Sequence, residues 1–152
     1  MTVYNHRFLI LNVKEEGLEE KLLNLMFKYQ INDFFFLDQS FPFLIKTALS
    51  GESRTAVRVS EYESVETALT LSGLVQWVWV DVFSHFPLNS DSYLRLKQAG
   101  FKLCLVSPEL QGHPLSQVKS TQVLIDDMKI ELDAVCTKEP SLWSGDWFSA
   151  LQ

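Results

Sequence analysis

Lys14, Asp38, Glu61, Asp81, Glu109 and Lys138 each stand at or shortly after the end of a short apolar run. Carboxylates gathered at one place can hold a hard divalent cation, and ammonium groups beside them can meet a phosphate. Two cations among four carboxylates suit a metal-bridged phosphate better than a bare anion. Asp38 and Asp81 are the candidate ligands for Mg²⁺ or Ca²⁺, and Lys14, Glu61, Glu109 and Lys138 are the candidate contacts to a bound molecule. The competing reading is that strand ends are wet and polar in every α/β protein, so charges there cap elements or edge the fold.

Asp81 interrupts WVWVDVF, where a carboxylate is costly unless paired or near water. Paired with Arg58 on the neighbouring strand it would be a structural ion pair; facing a pocket it could be a metal ligand or general base. His85, just after the same run in SHFPL, is placed to reach the rim as a general acid and is the candidate catalytic residue. Ser40 and Ser107 lie at run ends without a histidine and carboxylate arranged beside them, so nucleophilic serine chemistry is not expected.

The elements that must position these residues repeat. Apolar runs occupy residues 8–14, 34–38, 56–61, 77–83, 101–106 and 133–138, with amphipathic stretches between them. That is βα repetition, which implies a parallel sheet covered by helices, with chemistry where strands end. Leu18, Leu22, Leu25, Met26 and Tyr29 share one helical face. Ser40 and Pro42 open a second helix that runs to about Gly51. A third carries Val65, Ala68 and Leu69 and ends at Gly73, and a fourth starts at Asn89 or Ser90 and ends at Gly100. Residues 115–129 form the weakest helical pattern, because Ser120, Thr121 and Gln122 interrupt it. The tail from Ser141 to Gln152 reads as a short helix packing Trp143, Trp147 and Phe148 onto the body.

The 152 residues, 47% of them hydrophobic and 21% charged, suit one domain with a sizeable core. No linker or low-complexity tract divides them. Thirteen basic against 19 acidic residues, without a basic cluster, make nucleic acid a poor partner. No run approaches the roughly 20 apolar residues of a membrane span, and the N-terminus lacks a signal-peptide layout, so the chain reads as cytoplasmic. Cys104 and Cys136 fall inside predicted strands and are expected to be reduced, buried thiols.

Four stretches resemble one family. LNVK (11 to 14), followed by an acidic helix start, looks like the LNIEIK-type strand of glycerophosphodiester phosphodiesterases. DQSF (38 to 41) resembles that family's fourth-strand ending, KLCLVSPE (102 to 109) its seventh strand, and LDAVCTKEP (132 to 140) its closing strand. The resemblance implies a partial (β/α) TIM-type barrel matching strands three to eight, with Lys14 as a phosphate contact. The family's metal-binding Glu falls on Asn12. Its His-Arg-Gly and Glu-x-Asp signatures and its catalytic His are absent; His6-Arg7 is followed by Phe8 instead of Gly.

Two functional expectations follow. One is a phosphodiesterase-like barrel segment, incomplete or inactive alone: the C-terminal portion of a longer enzyme or a shortened relative. The other is a non-catalytic binding or assembly module for a phosphorylated sugar or a protein partner. Six strands cannot close an eight-stranded barrel, so a homo-oligomer or a complementing N-terminal segment is expected to cover the open edges. Since Asn12 stands where a carboxylate ligand would, Mg²⁺, Ca²⁺ and Mn²⁺ are expected to bind weakly at most. Calorimetry checks this, and sub-micromolar affinity would return Asp38, Glu61 or Asp81 to a catalytic role.

Overall fold

The computed structural model describes residues 8–144. Six strands, β1 (Leu9–Asn12), β2 (Phe34–Leu37), β3 (Ala56–Val59), β4 (Trp77–Val80), β5 (Lys102–Val106) and β6 (Ala134–Cys136), alternate with five helices. These are α1 (Glu19–Lys28), α2 (Phe41–Leu49), α3 (Val65–Leu69), α4 (Ser90–Gln98) and α5 (Leu115–Asp127). Every pairing is parallel: β1 with β2 in one ladder, and β3, β4, β5 and β6 in sequence in another. A bridge from Phe36 to Thr55 joins the ladders, so spatial order follows chain order. The fold is α/β with parallel strands.

Alternation along the strands separates two apolar layers. Val57, Val59, Val78, Val80, Leu103 and Leu105 pack against Leu44 and Ala48 of α2, Ala68 of α3, Leu96 of α4 and Val118 and Ile125 of α5. Phe34 and Phe36 do the same with Met26 and Leu22 of α1. All five helices therefore cover one face, as same-handed crossovers between successive neighbours require. Among the described residues no α-helix lies on the opposite face, yet Phe35, Leu37, Trp77, Trp79, Cys104 and Val106 are buried there in a cluster that Ile10, Leu110, Ala134 and Cys136 also join.

The strands stop short of their apolar runs for identifiable reasons. Beyond Val59, Ser60 and Glu63 exchange backbone hydrogen bonds in a tight turn, so β3 has no further groups for its neighbour. The Asp81 N–H to the Val59 carbonyl, 2.9 Å, is the last bond of its ladder. Residues 115–129, the weakest helical pattern, contain the longest helix, because Thr121 is buried on the same side as Val118 and Ile125. Its hydroxyl disguised a core position. Asn89 caps α4 in a reciprocal pair with Ser92, and Gly100, at φ 87°, turns the chain back toward β5 in a left-handed conformation that side chains resist. In the tail, Pro140–Leu142 is a single 3₁₀ turn and Trp143 is buried, while Trp147 and Phe148 lie outside the described residues.

Leu105→Ala, at a fully buried central-strand position, is expected to cost about 2–5 kcal/mol in urea denaturation, whereas Asn89→Ala should cost only about 1 kcal/mol. Equal losses would mean that the helix-covered layer is not the main source of stability.

Candidate functional site

The C-terminal ends of β1, β2 and β3 border an open cleft of about 740 Å³. Lys14, Asp38 and Arg58 lie in it together, with Gln39, Phe41, Tyr62, Glu63, Ser64 and Thr67 around them. Asp38 follows β2 directly and holds a left-handed backbone, φ 59°. Its two carboxylate oxygens are divided between cations: Lys14 Nζ donates to Oδ2 and an Arg58 guanidinium N–H to Oδ1. Partial burial pushes the Asp38 carboxyl up, but the hydrogen bonds and charges of Lys14 and Arg58 outweigh it and hold the group below the usual carboxylate range.

Arg58 occupies the helix-free face of β3. It extends beyond Asp38 to Asp81 of the next strand end, 3.7 Å away, and to Glu63 at 4.0 Å. The ion pair with Asp81 is the structural one of the two roles open to that carboxylate. Asp81 is 2% exposed and also accepts from Gln111 Nε2 at 2.5 Å and from the Val82 N–H at 3.1 Å. A buried carboxylate with an ion pair and two hydrogen bonds is adequately compensated.

Glu61 and Glu109 are committed to holding loops. Glu61 accepts from the backbone N–H groups of Phe83, Ser84 and His85 and from the Ser84 hydroxyl. Burial raises its carboxyl, but these donors, the His85 and Ser84 N–H groups foremost, bring it down to about 2. Glu109 accepts from the hydroxyls of Ser107 and Thr137 and the N–H of Lys138, which ties the ends of β5 and β6 together. The Ser107 oxygen also accepts from the indole N–H of Trp143 at 2.8 Å.

Ser84, His85 and Glu61 adjoin one another without forming a triad. Nδ1 of His85 faces both the Ser84 hydroxyl, at 3.0 Å, and Glu61, at 3.6 Å. A triad needs one ring nitrogen on the hydroxyl and the other on the carboxylate. Here the carboxylate takes the serine hydroxyl directly, at 2.9 Å, so no proton relay is set up.

Of the residues named from the sequence, the cleft collects Lys14 and Asp38, and Asp81 reaches it through Arg58. Glu61, His85, Glu109 and Lys138 are not among its lining residues. Lys138 is exposed beyond β6, at the opposite end of the strand order from Lys14. Arg58 is the residue that sequence reasoning undervalued: Ala56, Arg58 and Ser60 alternate onto one face exactly out of phase with Val57 and Val59, a signal present in AVRVSE. Gln111 carried no such signal.

Among the described residues, no group of three or more His, Cys, Asp or Glu side chains is arranged to hold a metal ion. A divalent cation at Asp38 would compete with Lys14 and Arg58 for both oxygens. Cys104 and Cys136 are free, and burial pushes both thiols up, so neither is a ready nucleophile at neutral pH. No described helix is long and apolar enough to cross a membrane. No family model matches the chain, and no curated protein matches it.

Glu61 supplies the test of this electrostatic arrangement. Because its folded value is depressed to about 2 from an ordinary 4.5, its contribution is fully present above pH 4.5 and is lost as pH falls through 2. Glu61→Gln should cost roughly 2 kcal/mol at pH 7 and flatten the acid limb of a stability-versus-pH curve. An acid limb identical to that of the unsubstituted protein would show that Glu61 is not the anchor of its loop.

Proposed function

We propose that this chain is a segment of a phosphodiesterase-like β/α barrel whose strand-end cleft binds a phosphate-bearing small molecule, and that it does not hydrolyse that molecule alone. The observation that carries the reading is the convergence of Lys14 and Arg58 on Asp38 in an open cleft at the ends of parallel strands. Phosphate oxygens can take the place of the Asp38 carboxylate as acceptors, and a guanidinium fork suits them geometrically.

The same side chains argue against hydrolysis. Asp38 is held below the usual carboxylate range and Glu61 lies near 2, so both are charged and weakly basic at neutral pH. General acid catalysis needs a carboxyl shifted the other way. Any Mg²⁺ or Ca²⁺ would bind weakly, through Asp38 after displacing its cations.

The barrel reading rests on three features: sequential parallel strands, helices on a single face, and a buried apolar layer on the face without helices. Among the described residues β1 pairs only with β2 and β6 only with β5. Closure would need further strands, from another copy or from a complementing N-terminal segment. A compact, soluble monomer in sedimentation at micromolar concentration would overturn that part of the proposal.

Titration calorimetry with glycerol 3-phosphate tests the cleft. Lys14→Ala should weaken binding about tenfold, and Arg58→Lys should weaken it as much while keeping the charge, since the fork is lost. Lys138→Ala, outside the cleft, should have no effect. Unchanged affinity in both cleft variants would overturn the phosphate reading, and turnover of a glycerophosphodiester by the chain alone would overturn the non-catalytic one.

A further inference from the structure

The cleft has a second chemical character beside its charged groups. Tyr62 is 81% exposed and Phe41 is 50% exposed, and both line it. Phe83, 37% exposed, stands beside Tyr62 with ring centroids 6.0 Å apart and planes tilted by 50°. Tyr62 does not owe its exposure to a loose loop. Its own N–H donates to the Ser60 hydroxyl at 3.1 Å, that hydroxyl donates to Glu63 at 2.6 Å, and Ser60 and Glu63 exchange backbone hydrogen bonds. Ser64 then caps α3 through the Thr67 N–H. A ring is thus held out into water by a turn closed on both sides.

Exposed aromatic faces in a cleft that also holds a guanidinium suit a ligand with an apolar ring face joined to an anion. Glu63, Ser64 and Thr67 also line the cleft, and their carboxylate and hydroxyls can hydrogen-bond to the hydroxyls of a sugar. A bare phosphate would use only the cations; a linear alcohol would leave the rings unused.

We infer that the ligand is a sugar phosphate, with its phosphate on Arg58 and Lys14 and its ring stacked on the Tyr62–Phe83 pair. This rests on the phosphate reading above and adds the nature of the alcohol. The experiment is calorimetry with inorganic phosphate, glucose and glucose 6-phosphate. Glucose 6-phosphate should bind about tenfold more tightly than inorganic phosphate. Tyr62→Ala should weaken it by about three- to tenfold while leaving inorganic phosphate within about twofold, and Tyr62→Phe should retain the affinity. Circular dichroism of each variant confirms that the fold is kept. Equal affinity for phosphate and glucose 6-phosphate, or a Tyr62→Ala variant that binds both as before, would overturn the stacking inference and leave the phosphate reading in place. Binding of neither phosphate compound would overturn both.

Discussion

A guanidinium on the helix-free side of a parallel strand must be neutralised, and that requirement organises the strand ends of this protein. Arg58 stands among Ala56, Trp77 and Trp79 on a face where its own neighbours are apolar. Its charge is balanced there by Asp38 from the strand before and Asp81 from the strand after. Both carboxylates lie just beyond their strands, at the level where ladders give way to solvent. Gln111, from the turn after β5, completes the set by donating to Asp81. Three successive strand ends, those of β2, β3 and β4, therefore depend on one side chain for their local charge balance. Removing it would strand a carboxylate that is almost wholly buried, a far larger penalty than losing an exposed ion pair.

The carboxylates divide by what surrounds them and not by where they fall along the chain. Glu61 and Glu109 each meet several donors from loops and adjoining turns, so their charge is spent on fixing backbone. Asp38 meets long-stemmed cations and borders an open cleft. From equal positions after equal strands, one kind becomes a fastener and the other remains available to exchange partners with a bound anion.

Much of the architecture was legible because period-two and helical patterns report burial directly. AVRVSE and WVWVDVF show their alternation openly, and Leu18, Leu22, Leu25 and Met26 show a helical stripe. The pattern failed where a polar group is buried for its shape: Thr121 turns inward beside Val118 and Ile125. At the site, strand-end placement put Lys14 and Asp38 on one rim, and the two meet because β1 and β2 are adjacent. It could not separate them from Glu61 or Lys138, because end position says nothing about which donors a loop will fold back to offer. Arg58 was visible as a charge out of phase with Val57 and Val59, and Gln111 became relevant only once the turn after β5 had a shape.

The sequential order of the strands also bears on how the chain acquires its shape during synthesis. Strands begin at residues 9, 34, 56, 77, 102 and 134, and each lies beside the one made just before it. Among the described residues no strand waits for a partner encoded much later, so each loop closed between them spans a single βα unit and its entropic cost stays modest. A nascent chain emerging from its N-terminal end can add units one at a time to a growing edge, each helix shielding the strand it has just delivered. The edge that advances is always the newest one, and its backbone groups stay unpaired only until the next strand arrives.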